Sequence, residues 1–340
     1  MLRYLTAGES HGEYLTGILE GFPAGVKVPR AYIAAQLGRR RRAPGRGARQ
    51  ALETDVFEIT SGMDGETTTG APVTVLLRNR GRAAPGFSAV PRPGHADLAG
   101  MLKYGTMNAS LVRERASARE TAARVALGSF ALKLNELLGV TINSRVVGLG
   151  RLPSIDAASA AAELLRARRA GDTLGGVFEV TAEGLPAGLG DFTQHDRRLG
   201  ARLAAAMLGV NGVKGFEIGG GFALAALGGM EAAGSPELSG GLDGGMTNGR
   251  RLTLRCAVKP VPGLPGGAPS ADLRTGRKAL AISRTSDTSA VFAAAVVAEH
   301  AAALTLAAAL LEKFGGDSLA EIKPRVDEWR RKTGKLLKNL

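Results

Sequence analysis

The sequence predicts an α+β fold: a single-domain sandwich in which sheets flank a layer of apolar helices. Two observations predict it. Three segments without proline, Glu120 to Leu138, Asp196 to Leu208 and Ala290 to Phe314, are rich in alanine and leucine and read as helices. The first and third are apolar most of the way round, so they need cover on more than one face. Segments rich in β-branched residues, Val73 to Leu77 and Val177 to Thr181, together with the alternating Leu252, Leu254, Cys256 and Val258, read as strands that would supply that cover. Between them lie glycine and proline clusters, none long enough for an interdomain linker, so residues 1–340 are expected to form one domain.

Composition narrows the partners. Forty-four basic residues against 31 acidic ones give a net charge of +13, which favours an anionic partner: nucleic acid, a membrane surface or a phosphorylated metabolite. Aromatic residues make up only 4% of the chain, so stacking platforms for single-stranded nucleic acid are scarce. The one cysteine, Cys256, excludes an intramolecular disulfide and a zinc site with several cysteine ligands, and it suits a reducing cytoplasm. Met1-Leu2-Arg3-Tyr4 starts no charged-then-apolar leader. Glu299 and His300 interrupt the longest apolar run, which argues for a buried helix over a membrane span. A soluble protein without a membrane partner is expected; charge alone does not choose the anionic ligand, and a small phosphorylated molecule gains some ground over nucleic acid.

Taken along the chain, the first chemically loaded element is Gly8-Glu9-Ser10-His11-Gly12, which follows a strand predicted over Leu2 to Thr6. It places Ser10 and His11 on a tight loop. Histidine titrates near neutrality and can hand a proton to a departing group, although the pentapeptide alone reads equally as a surface loop. Next, Arg39-Arg40-Arg41-Arg42 with Arg46 and Arg49 packs six guanidinium groups into eleven positions. Such a run is a solvated face, a nucleic-acid patch or a small-anion site, and the interleaved glycines favour convergence on one point. Pro91-Arg92-Pro93-Gly94-His95-Ala96-Asp97 presents a second histidine beside a carboxylate that orients it or merely bonds to it. In Arg115-Ala116-Ser117-Ala118-Arg119-Glu120, Ser117 and Glu120 have capping-box spacing at a helix start, a plausible anion site. Asn211-Gly212, the Gly244-Gly245 loop and Lys259-Pro260-Val261-Pro262-Gly263 let a ring or phosphate approach closely. Asp287 reads as an N-cap of the last long apolar helix or as a catalytic carboxylate.

In this order, these segments resemble the chorismate synthase family from Leu2 to about Lys323. The most specific strings are Gly8 to Gly12, Arg92 to Asp97, and Arg115-Ala116-Ser117-Ala118-Arg119-Glu120-Thr121-Ala122-Ala123-Arg124. The resemblance implies antiparallel sheets around a helical layer, a homotetramer, and a carbon–oxygen lyase that uses reduced FMN to eliminate phosphate from 5-enolpyruvylshikimate-3-phosphate. It implies that His11 assists the leaving phosphate with Ser10 nearby, that His95 stands by the flavin, and that Asp287 works near its N5. By the same resemblance, Arg40, Arg46, Arg49 and Arg119 hold phosphate and carboxylates. The cofactor is held by Arg115, Ala116, Ser117, Asn211, Gly212, Gly244, Lys259, Pro260, Val261, Pro262, Gly263 and Arg284.

The chain departs from the family pattern at Asn108 and Ser110, at Pro44 in place of a tyrosine, at Gly263, and at Thr285, which separates Arg284 from Ser286-Asp287. In family members that reduce their own flavin, Arg40 and Arg46 are also assigned to nicotinamide. This sequence carries no convincing Gly-x-Gly-x-x-Gly fingerprint after a strand, so flavin reduced elsewhere is expected over reduction by NADPH on this chain. Two competing classes, a nucleic-acid-binding protein and a flavin oxidoreductase with net electron transfer, leave the two histidine loops and the serine-capped helix unexplained.

Overall fold

The computed structural model describes residues 1–47, 54–80, 86–282 and 287–337; Arg49 and Arg284 lie outside them. The N-terminal half contributes strands β1 (Arg3–Gly8), β2 (Tyr14–Glu20), β3 (Phe57–Ser61), the two-residue pair β4 (Met63–Asp64) and β5 (Thr67–Thr68), and β6 (Val73–Arg78). Its helices are α1 (Arg30–Arg41), α2 (Asp97–Tyr104), α3 (Ala109–Ala116) and α4 (Thr121–Leu137). There follow β7 (Thr141–Leu149), α5 (Ala157–Arg169), β8 (Gly176–Glu183), α6 (Leu199–Leu208), β9 (Val213–Ile218) and α7 (Gly229–Ala233). The remainder comprises β10 (Leu242–Asp243), β11 (Met246–Thr247), β12 (Leu252–Val258), β13 (Ala268–Ala271), β14 (Lys278–Ala281), α8 (Val291–Phe314) and α9 (Leu319–Leu337).

Two four-stranded antiparallel sheets, ordered β1-β2-β6-β3 and β7-β8-β12-β9, form the outer layers. Helix α4 packs on β2 and β6, α8 packs on β7 and β8, and the two helices pack on each other. The class is therefore the α+β sandwich expected. Alternation explains why each sheet turns one face inward: Leu15, Leu19, Val73, Val75 and Leu77 on the first sheet, and Phe178, Val180, Leu252, Leu254 and Cys256 on the second, are all buried. They share one continuous core with the helices between them. Helix α8 is long and apolar enough to cross a membrane, but 89% of its most apolar window is buried inside the protein, which accounts for an apolar surface all round.

Glycine sets the closest approaches. A Cβ on Gly17 of β2 would lie 3.0 Å from the Leu127 side chain of α4, and one on Gly128 of α4 would lie 2.5 Å from Cβ of His300 in α8. The layers can be this close because both positions lack a side chain.

The predicted helices are present with altered starts. Helix α6 begins at Leu199 rather than Asp196, because Arg198 is extended (φ −63°, ψ 124°) and Arg197 N–H closes a turn on the Gln194 carbonyl. Ser117 caps a 3-10 turn, Ala118–Glu120, ahead of α4, accepting from Arg119 N–H. Glu120 does not complete a capping box; its carboxylate accepts from Thr6 and pairs with Arg124 at 2.8 Å.

Candidate functional site

The site is assembled on the last turn of α3. Gly8 ends β1 with φ +98°, and a Cβ there would collide with the Tyr14 carbonyl oxygen, so glycine alone allows the chain to leave the strand on this path. The loop is then tied down from two sides. Asn79, buried at the end of β6, donates its amide to the carbonyls of Glu9 (3.0 Å) and Gly12 (2.8 Å). From α3, the Glu114 carbonyl accepts from Ser10 N–H at 3.1 Å, while its carboxylate accepts from His11 N–H at 2.8 Å and lies 2.7 Å from His11 Nδ1. Ser117 Oγ donates to Ser10 Oγ at 3.2 Å.

The second histidine is held in the same manner. Asp97, at the start of α2, is fully buried and lies 2.5 Å from His95 Nδ1, while Arg92 N–H (2.9 Å) and Arg113 Nε (2.7 Å) donate to its other oxygen. Burial pushes this carboxyl up, but the hydrogen bonds from His95 and Arg92 outweigh it and hold Asp97 well below the usual carboxylate range. Lys259 donates to the Gly94 carbonyl, which brings the Lys259–Gly263 segment against the histidine turn. Thr173 Oγ1 donates to the Val261 carbonyl at 2.8 Å and fixes that segment from behind.

A cavity of about 380 Å³ lies beside these loops, lined by Arg115, Arg124, Asn211, Gly212, Lys214 and Lys259 among others. Four cations face one acidic neighbour, Glu120. Burial and the nearby Lys214 charge lower the Lys259 ammonium from its usual value. Asn211 donates to the Ala116 carbonyl at 3.3 Å, while its Oδ1 is buried without a partner among the described atoms. An acceptor left open in a cationic pocket suits a ligand that carries both hydrogen-bond donors and an anionic group.

The arginines do not converge as a run. Successive residues in the last turn of α1 point in different directions: Arg39 pairs with buried Glu299, whereas Arg40, 1% exposed, reaches Asp55 and Thr121. Asp55, the one described non-glycine residue with positive φ (48°), also takes Arg119, whose Nε donates to Asn79 Oδ1 at 2.9 Å. Burial pushes the Arg40 guanidinium down to about 10, Asp55 opposing and Arg46 and Arg119 adding, so it keeps its charge at neutral pH. The buried Asp55 carboxyl is pushed up by burial but pulled below its usual value by Arg40 and Arg119. Arg46 pairs with Asp287 at 3.1 Å, and Asp287 also accepts from Gly47 N–H at 2.6 Å. Asp287 is therefore not the N-cap of α8: its carboxylate is committed to the arginine loop, and α8 starts beyond Ala290 without a side-chain cap.

Of the sequence-predicted residues, Ser10, His11, His95, Arg115, Ala116, Ser117, Asn211, Gly212 and Lys259 lie on the linked loops and cavity just described, and Arg40, Arg46, Arg119 and Asp287 on the arginine side. Pro260, Val261, Pro262 and Gly263 follow Lys259. Gly244 is not brought to the cavity: Gly245 accepts from Leu199 N–H at the start of α6, while the cavity is reached at its other end, Leu208 to Val210. Three residues that hold the site, Glu114, Asp55 and Asn79, carry no local sequence signal. Asn108 and Ser110 serve local structure: Asn108 caps α3 through Ser110 N–H, and Ser110 Oγ donates to the Gly86 carbonyl at 2.7 Å.

Comparison with known proteins places this geometry in context. The family model described as chorismate synthase matches residues 2–311. The chain is 44% identical to the chorismate synthase of Mycobacterium avium (strain 104), over 97% of this chain and 96% of the relative. It is also 44% identical to that of Mycobacterium tuberculosis (strain ATCC 25618 / H37Rv), with the same coverage. A crystal structure of chorismate synthase superposes with a TM-score of 0.79 at 34% identity, covering 96% of this chain and 97% of the other.

Proposed function

The chain belongs to the chorismate synthase family of lyases, and from that premise we propose that it eliminates phosphate from 5-enolpyruvylshikimate-3-phosphate, by an anti-1,4 route, to give chorismate with reduced FMN as cofactor. The observation that carries this reading is the hub at the end of α3. Arg113 holds the carboxylate that holds His95, Glu114 holds His11, Arg115 lines the cationic cavity, and Ser117 bonds to Ser10. Four residues of the stretch 113–117 thereby tie two histidines to one anion-binding cavity.

In this proposal the doubly anionic phosphate and the carboxylates of the substrate are bound by Arg40, Arg46, Arg49 and Arg119, whose charges persist when desolvated. His11, beside the leaving phosphate, donates a proton as the carbon–oxygen bond breaks, and Ser10 orients the departing oxygen. Arg115, Ala116, Ser117, Asn211, Gly212 and Lys259 would hold the cofactor: the cations of the cavity suit its phosphate, and Asn211 Oδ1 is open to a donor. When bound, reduced FMN would supply transient electron density to the substrate as phosphate leaves, and a place for the hydrogen lost from the ring. His95 balances negative charge on the cofactor side, and Asp287 works where the hydrogen is taken up. Pro260 to Gly263 and Arg284 complete the cofactor side. Gly244 joins it only if a second copy of the chain supplies it, in keeping with the homotetramer we propose. We further propose that the chain acts as one domain in the cytoplasm and receives its flavin already reduced.

The test is phosphate release after anaerobic mixing of protein, substrate and FMN. Release with reduced FMN and none with oxidised FMN is expected; equal release in both states contradicts the proposal. His11→Ala and His95→Ala are each expected to lower turnover by a factor of about 10² or more, and near-normal turnover in either removes that histidine from the mechanism.

A further inference from the structure

Glu114 has no part in the chemistry proposed above, yet both of its carboxylate oxygens are given to one residue. Oε2 accepts from the backbone N–H of His11 at 2.8 Å and Oε1 lies 2.7 Å from Nδ1 of the same residue. We propose that Glu114 is the positioning residue of the phosphate-leaving half of the site: it fixes the His11 ring with Nδ1–H on its carboxylate, so that in the imidazolium that acts as the acid the second proton, on Nε2, faces the departing phosphate. The proposal rests on the role given to His11 above and adds to it the group that sets ring orientation and protonation.

Three features support it. A carboxylate accepts and does not donate, so contact with Oε1 requires Nδ1 to carry hydrogen. Nε2, across the ring, is then the nitrogen that the role proposed for His11 uses. A flipped ring would set a carbon against Oε1 and lose the bond. The Glu114 side chain is 7% exposed, so little water competes for the carboxylate, and its attraction for the ring proton is weakly screened. Ser10 N–H donates to the Glu114 carbonyl, so the loop is locked to the helix by backbone as well as side chain, and the ring's orientation is set relative to α3. Asp97, by contrast, is shared among His95, Arg92 and Arg113. The Glu114 carboxylate is addressed to His11 alone among the described contacts.

The test compares Glu114→Gln with Glu114→Asp in the FMN-loaded protein. Glutamine keeps the size but has one accepting oxygen in place of two, so with that oxygen on the His11 backbone its NH₂ faces Nδ1, which must then be without its proton, and the imidazolium that acts as the acid is disfavoured. Histidine-selective ¹⁵N NMR reads the tautomer directly; the chain has four histidines, and the His11 signal is identified by its disappearance in His11→Ala. Glu114→Gln is expected to move the ring proton off Nδ1 and to lower kcat for anaerobic phosphate release about tenfold or more, with KM changed less than about threefold. Glu114→Asp, which keeps an acceptor on a shorter stem, is expected to restore the Nδ1 proton and part of kcat. A kcat within about twofold of the parent in Glu114→Gln overturns the proposal. So does a lowered kcat with an unchanged Nδ1 signal, which would make Glu114 a loop anchor only. If His11→Ala is itself fully active, the role of His11 falls and this proposal with it; if His11→Ala is inactive while Glu114→Gln is normal, only the role of Glu114 falls.

Discussion

Two of the four histidines are set apart by the glycines around them, and this much of the site was legible in the chain. His11 and His95 stand in loops whose backbones need glycine, Gly8 and Gly94 both having positive φ. Their partners were not legible in the same way. Glu114 lies 103 residues from His11, and Asp55 lies 64 from Arg119, so nothing in the local sequence marks either as part of a site. His300 shows the opposite case, a histidine whose place in an apolar helix already indicated a structural role. It is fully buried, with Nδ1 donating to the Val296 carbonyl at 2.7 Å. Burial lowers its tendency to hold a proton, with the Glu299 charge opposing. The sign of the consequence follows. Below about pH 6.5 the unfolded chain takes up a proton at this ring and the folded chain does not, so stability falls as pH falls, by up to about 1.4 kcal/mol per pH unit from this one group. Urea unfolding of His300→Gln between pH 7 and pH 5 is expected to show a slope flatter by up to one proton, and an unchanged slope would contradict it. Asp97 acts in a lower window: its depressed carboxyl contributes stability above the usual carboxylate value, and that contribution is lost as pH falls further.

The elements that sequence reasoning found are those whose composition needs no partner to be recognised. Helices α4 and α8 are apolar nearly all round, and β6, β8 and β12 are rich in β-branched or alternating apolar residues. The helices it did not identify, α1, α2, α3, α5, α7 and α9, are short or carry many charges, so their apolar pattern is weak. Missing α1 also misplaced the arginine cluster, because a helix sends Arg39 and Arg40 to different partners where a loop would gather them. The α4–α8 crossing gives a test at this scale. A methyl on Gly128 would lie 2.5 Å from Cβ of His300 and 3.0 Å from its carbonyl oxygen, with backbone on both sides to resist movement. Gly128→Ala is expected to destabilise the protein by about 1–3 kcal/mol despite alanine's better helix propensity. Denaturant unfolding that finds equal or greater stability would show that the two helices are not packed this closely.

Across the molecule, the sandwich gives the site a rigid base. The N-terminal sheet supplies the His11 loop and Asn79, the segment after the C-terminal sheet's central strand supplies Lys259, and α3 joins them through residues 113–117. The net charge of +13 is used in part at this junction, where cations of the cavity and of the arginine side face the places proposed for phosphates. The apolar helices and the strands that cover them were legible from composition and periodicity, and the antiparallel sandwich from the family resemblance, whereas the cavity depends on contacts between segments far apart in sequence. An elimination that returns its flavin in the reduced state differs from a net oxidation in one count, the number of turnovers per flavin. The most direct measurement supplies far less reduced FMN than substrate under anaerobic conditions and follows phosphate and flavin absorbance together. Many phosphates released per flavin, with the absorbance of reduced FMN regained at the end, is the expected result. Release that stops at one phosphate per flavin, with the flavin left oxidised, would contradict the proposed reaction.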